Sequence, residues 1–215
     1  MEKNVFEVYK DASIPFWWTG ELKKTCKKYK IDFFTSPYDL DYVDEVDKFI
    51  PAFKIGSGDI TWLEILEKIA KKNKPCILAT GASTSKDVDI AVKQIKKFNK
   101  KLMLMQCNTN YTGNDVNNNY LNLKVILEFK KKYPDLIVGL SDHTKDDQSV
   151  LSAVAMGARI VEKHFTDNNN RNGPDHKFSM NPKTWKIMVD ETRNLENALG
   201  NGEKIIEKNE KQSAI

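Results

Sequence analysis

Six short apolar runs, each followed by a longer amphipathic or polar stretch, restrict the fold of this chain more than any other feature. The runs are residues 31–36 (IDFFTS), 52–57 (AFKIGS), 76–80 (CILAT), 102–107 (LMLMQC), 136–141 (LIVGLS) and 159–165 (RIVEKHF). Runs this short, apolar at nearly every position, fit strands covered on both faces. Helix-like segments lie between them, at 21–29, 61–71, 86–98 and 121–132, with an alanine-bearing one at 148–156. The repeat from strand to strand is roughly 20–35 residues, the size of a βα unit. Six such units in succession predict a parallel sheet wound in one direction.

Two α/β architectures accommodate that pattern, a doubly wound open sheet and a TIM barrel. Polar residues recur at or just past the end of every run: Thr35-Ser36, Ser57-Gly58-Asp59, Thr80-Gly81, Asn108-Thr109-Asn110, Ser141-Asp142-His143 and His164. A barrel draws its site from nearly all strand ends, whereas an open sheet concentrates it at one switch point. That favours a barrel, but six runs are two short of the eight a barrel needs, so over residues 1–199 the expectation is either an incomplete TIM barrel of about six of eight βα units or an open six-stranded sheet. The glycine-punctuated stretch 200–215 reads as the start of a linker, and the residues themselves give no sign of a second domain.

Composition narrows the function classes. The 34 basic and 30 acidic residues nearly balance at +4, without the dense basic stripe of a nucleic-acid reader. No apolar run approaches the ~20 residues of a membrane span, and MEKNVFEVYK at the start has no apolar signal core. Three widely spaced cysteines, Cys26, Cys76 and Cys107, suggest a reducing compartment. A cytoplasmic protein is expected.

Lys54 lies inside the apolar run AFKIGS. A buried ammonium needs an anion or must lose its proton, so a phosphate or carboxylate ligand is one solution; snorkelling between helices is the other. Gly56-Ser57-Gly58 follows directly, offering close backbone approach, amide donors and the Ser57 hydroxyl. Thr80-Gly81 and Ser141-Asp142 repeat the theme, either as further phosphate contacts or as caps of the helices that follow. The chain has three histidines, His143, His164 and His176. The first two end successive runs 21 residues apart (164 − 143), which on neighbouring parallel strands brings both imidazoles to one rim. Two imidazoles with ligand oxygens and waters suit a divalent cation such as manganese; one capping and one core histidine is the alternative. Glu162 shares the face of His164 by strand alternation, while Lys163 faces the helices. Asp59 is a candidate acid/base, or a helix cap. Tyr111 could line a sugar pocket or pack in the core. Asp175-His176, after Gly-Pro in RNGPDH, could close over a ligand or form a plain surface turn. Trp17-Trp18 reads as packing.

KIGSGDI, ATGAS, QCNTNY, GLSDHT, VEKHFTDN and GPDHKFSM, in that order, resemble the sialic acid synthase family, nearest to bacterial members making nonulosonic acids such as legionaminic acid. The resemblance runs from about Phe6 to the end. It implies a TIM barrel followed by an antifreeze-like domain, homodimers among full-length relatives, and condensation of phosphoenolpyruvate with an N-acetylmannosamine-type amino sugar, releasing phosphate. Carried over, Ser36, Lys54, Ser57, Thr80, Thr109 and Ser141 would hold phosphoenolpyruvate. His143 and His164 would hold a divalent metal, manganese or magnesium. Asp59, Tyr111 and Asp175 would contact the sugar or the attacking water. Asp59 stands where many relatives have glutamate. The family's first two strands, with a glutamate and a phosphate-binding lysine, and its antifreeze-like domain have no counterpart in these residues. The chain is therefore expected to be a fragment with little synthase activity alone. Another aldol-type phosphoenolpyruvate-condensing barrel, or a remnant that binds metal and phosphorylated ligand without turnover, are the competing expectations.

Overall fold

The computed structural model describes residues 4–214. Residues 1–3 of the amino-terminal stretch and residue 215 of the expected linker lie outside the described residues. The chain divides into two compact units, with the boundary in sequence between Leu104 and Met105. Five parallel-type strands follow chain order in the sheet: β1 (Phe53–Ile55), β2 (Cys76–Ala79), β3 (Leu102–Cys107), β4 (Ile137–Asp142) and β5 (Ile160–Lys163).

In the first unit, β1 and β2 are buried throughout and pair in parallel, Lys54 opposite Ile77. Helices α1 (Val5–Ala12), α2 (Trp18–Lys28) and α3 (Leu40–Asp47) precede them. Asp39 starts α3 by accepting the Asp41 and Tyr42 amides at 2.8 and 3.1 Å. Helix α4 (Leu63–Lys71) buries Ile65, Leu66, Ile69 and Ala70 and packs on α5 (Ser85–Lys96), which buries Val88, Ala91, Val92 and Ile95. Both sets form a single helical stripe. A reciprocal Thr84–Asp87 capping box opens α5. Burial pushes the Cys76 thiol up to about 12, so this cysteine is a core residue.

Two expectations for this unit need correction. Residues 31–36 do not form a full strand; among the described residues they pair through a single bridge, Thr35 with Phe53. Ile31 and Phe34 stay exposed, since among the described residues the run pairs with β1 alone and Pro37 cannot donate to a ladder. Trp17 is 71% exposed. Its ring meets Trp18 edge-on at 5.8 Å, so the pair lies on the surface and not in a core.

In the second unit, helices α6 (Val125–Lys132), α7 (Gln148–Ala155) and α8 (Pro182–Leu199) accompany β4 and β5. The two strands pair in parallel, with Ser141 opposite Glu162 and Asp142 opposite Lys163. Gly139 is dictated by contact: a Cβ there would come within 2.3 Å of the Ile160 carbonyl oxygen. Val150, Val154, Met180 and Met188 form a core that Val161, Trp185 and Leu195 complete. Asn181 caps α8 through the Lys183 and Thr184 amides, with Pro182 at its first position. Residues 200–214 are exposed. Among the described residues no helix is long and apolar enough to cross a membrane.

Candidate active site

The first unit gathers Ser36, Lys54, Ser57, Asp59 and Thr80. Strand alternation puts Lys54 on the face opposite Phe53 and Ile55, which are 0% and 2% exposed. Lys54 itself is buried, and its ammonium lies 3.4 Å from the Ile55 carbonyl oxygen. Its charge reaches Asp59, whose pKa is raised by burial and pulled back by Lys54. Ser57 forms the short 3₁₀ turn after β1 and accepts the Gly81 amide at 2.9 Å. That bond ties the turn after β1 to the turn after β2, and an accepting hydroxyl keeps its own proton to donate. Thr80 is buried beside Gly81, and Ser36 is half-buried beyond the Thr35 bridge.

The second unit holds the histidines. The rings of His143 and His164 are 5.1 Å apart between centroids. Tyr111 lies 4.1 Å from His143 and 5.6 Å from His164, edge-on to the latter. Phe178 closes the group, 5.0 Å from His164. It packs so closely on Gly113, at φ +60°, that a Cβ there would sit 2.4 Å from its own. His143 Nδ1 is 2.7 Å from the Asn108 carbonyl oxygen. A carbonyl only accepts, so Nδ1 carries a proton and Nε2 is the ring nitrogen left to meet a ligand. His164 Nδ1 faces Asp175 Oδ2 at 3.5 Å, the kind of carboxylate partner that orients a ligating imidazole. Ser141 is buried on β4 and, by alternation, shares the His143 face. Thr109 lines a polar concavity of about 380 Å³ with Asn108, Asn110, Asn117 and Tyr120.

The donor set fits a divalent cation in part. Two imidazoles of fixed or guided tautomer are present, while among the described residues no group of three His, Cys, Asp or Glu side chains forms a metal cage. The remaining positions would fall to water and ligand oxygens, as at sites that keep open positions for chemistry. His176 stands apart from this set: its Nδ1 is 2.7 Å from the Thr166 hydroxyl, and its ring packs on Gly173. Asn169 donates to the His176 and Ser179 carbonyls at 2.8 and 2.7 Å, holding the loop that bears Asp175.

Sequence reasoning missed three contributors. Phe178 and the Asn108 carbonyl left no signal in residue type. The third is a wholly buried ion pair, Lys163 to Asp142 at 2.7 Å, with side chains 1% and 0% exposed. Its signal was available: 163 − 142 equals 21, the same separation as the two histidines. Burial works against the Asp142 carboxylate, but Lys163 and hydrogen bonds from Lys163, Ser149 and Thr144 outweigh it and hold the pKa low.

Parallel strands whose carboxyl ends carry hydroxyls, a buried lysine and paired imidazoles place the chain in the α/β class of the TIM-barrel type. The chain belongs to the NeuB family, which it matches over residues 1–204. It is 39% identical over 197 residues to the N,N'-diacetyllegionaminic acid synthase of Campylobacter jejuni, covering 90% of this chain and 58% of that protein. It is 40% identical over 204 residues to an uncharacterized protein of Methanocaldococcus jannaschii, covering 93% and 59%. The crystal structure of an N-acetylneuraminic acid synthetase from Leptospira borgpetersenii, in complex with citrate, superposes with a TM-score of 0.87 at 31% identity, over 95% of this chain and 70% of that one. The chain spans under three fifths of the length of these two curated relatives.

Proposed function

We propose that this chain carries the binding chemistry of a cytoplasmic nonulosonic acid synthase, which joins phosphoenolpyruvate to an N-acetylmannosamine-type amino sugar and releases phosphate. The observation that carries the reading is the His143–His164 pair, with its Asn108 tautomer lock and the Tyr111 ring laid beside it. In this reading Lys54, Ser57, Thr80 and Ser36 hold phosphoenolpyruvate, together with Thr109 and Ser141. The Lys54 charge and the Ser57 hydroxyl offset the negative charge that collects on the departing phosphate. A divalent cation, manganese or magnesium, would be held by His143 and His164 and would supply Lewis acidity toward the sugar carbonyl. Asp175 keeps His164 oriented and is close enough to that ring to meet the sugar as well. Tyr111, half-exposed beside both rings, offers an apolar face with a hydroxyl tip for the sugar. Asp59, with its pKa raised, is the better placed of the carboxyls to exchange a proton with a sugar hydroxyl or water.

Calorimetry tests the two residue sets separately. Manganese is expected to bind the 215-residue chain and to lose that binding in His143→Ala and in His164→Ala. Phosphoenolpyruvate is expected to bind and to be lost in Lys54→Met. Product formation is read as phosphate release together with mass-spectrometric detection of the acid. Full manganese affinity in either histidine variant would overturn the metal assignment. Undiminished phosphoenolpyruvate binding in Lys54→Met would overturn the phosphate assignment.

A further inference from the structure

The pair that the site description leaves without a task is Asp142–Lys163. Burying two charges costs several kcal/mol per ion unless both are fully bonded, and here they are. Lys163 Nζ reaches Asp142 Oδ2 at 2.7 Å, the Asp146 carbonyl at 2.8 Å, the Thr144 carbonyl at 2.9 Å and the Thr144 hydroxyl at 3.3 Å. Asp142 in turn accepts from Ser149 Oγ at 2.5 Å, Thr144 Oγ1 at 2.9 Å and the Thr144 amide at 3.0 Å. The two residues are register partners on β4 and β5. Each immediately precedes a histidine of the pair. His143 is thus bracketed by Asp142 and Thr144, both bonded to the residue before His164. On the far side of His164, its carbonyl accepts the Met180 amide at 2.9 Å.

We infer that Asp142 and Lys163 are positioning residues: a buried clamp on one face of two strand ends that sets the separation and pitch of the two imidazoles on the other face. The clamp rests on the metal reading above. Alternation supplies the mechanism, because fixing a residue on one face of a strand fixes the direction of the next on the opposite face. Lys163 also pins the backbone carbonyls of Thr144 and Asp146, so the segment leaving His143 cannot swing. Ser149, in the first turn of α7, carries the same restraint to that helix. A pair serving the fold alone has no need to grip the chain on both sides of one histidine from the residue beside the other.

Three variants of the full chain separate the roles: Lys163→Met, the double Asp142→Leu/Lys163→Met, and the milder Ser149→Ala. Each is read by thermal midpoint, by manganese calorimetry at a temperature where it is folded, and by ¹⁵N NMR of the histidine rings without metal. Outer residues that orient metal ligands typically change affinity about 10–100-fold when removed. The double variant, with the buried charges gone, is expected to recover most of the thermal midpoint. It should still bind manganese at least about tenfold more weakly, with the His143 ring signals broadened or shifted from the Nδ1–H pattern. Ser149→Ala is expected to fold and to show a smaller loss in the same direction. Wild-type affinity and unshifted ring signals in the double variant, or in Ser149→Ala should the others fail to fold, would overturn the clamp. Failure of wild-type chain to bind manganese at all would instead overturn the metal reading beneath it.

Discussion

Lys54 in β1 and Lys163 in β5 are equally buried, each 8% exposed, yet the two strand ends use them differently. Lys163 has short contacts to a carboxylate and two carbonyls, and its register partner is the carboxylate it needs. Lys54 has an apolar register partner, Ile77. A glycine-serine turn follows it, and its influence reaches the partly buried Asp59. A lysine whose neighbouring strand supplies the counter-charge holds strands together. One followed by a glycine-serine turn is, under the proposed function, placed to meet an anion from outside. The same residue type in the same kind of strand thus serves cohesion in the second unit and, under the proposed function, ligand binding in the first.

The comparison breaks first at Lys163. Lys163→Met alone leaves Asp142 charged and buried, and a loss of about 3–5 kcal/mol is expected in urea unfolding. Replacing both partners by Leu and Met should return most of it. A loss below about 1 kcal/mol for the single change would mean the pair behaves like a surface ion pair, and the contrast with Lys54 would vanish.

Gly139 sharpens the contrast from the backbone side. It lets β4 approach β5 closely enough to set Asp142 opposite Lys163. Gly139→Ala drives a methyl into the Ile160 carbonyl, and about 1–3 kcal/mol of destabilisation is expected from overpacking. Because the strands must shift to admit it, the histidine ring signals should move as well. An unmoved ring spectrum in a destabilised protein would show that strand separation and imidazole placement are independent.

How much of this was legible in the sequence follows from what each residue depends on. The parallel strands and their following helices were readable because buried strands need unbroken apolar runs and α4 and α5 carry regular stripes. The run 31–36 misled because apolar content reports a tendency to be covered, and its cover on one side is missing among the described residues. Helix α8, the longest element, has a weaker signal: Met188 is its buried residue, while its neighbours Ile187 and Val189 stay exposed, so its apolar positions trace no clean stripe. The histidine pair was readable from spacing, since equal offsets on adjacent parallel strands meet. Lys163–Asp142 has the same offset, but attention to the outward face assigned Lys163 to the helices without asking which acid it met there. The Asn108 carbonyl was beyond reach, because every residue has one and folding alone decides where it points.

The smallest effect tests Lys54 itself. Lys54→Met is expected to change stability by less than Lys163→Met does, since Asp59, the carboxyl that the Lys54 charge reaches, is only partly buried whereas Asp142 is fully buried. It should nevertheless remove phosphoenolpyruvate binding. The accompanying electrostatic change has a definite sign. Asp59 has its folded pKa above the ordinary 3.8, because burial raises it while Lys54 lowers it. The folded state therefore holds that proton more tightly than the unfolded chain does. Ionised Asp59 weakens the fold at pH values above its folded pKa, and the penalty disappears as pH falls through that pKa toward 3.8. Removing the Lys54 charge raises the folded pKa further. The carboxyl signal of Asp59, followed by ¹³C NMR, should titrate at higher pH in Lys54→Met than in the wild type, and the stability gained on acidification across that window should grow. A midpoint that stays put or falls would mean that the Lys54 charge does not reach Asp59, and that the first unit's strand end is not one electrostatic site.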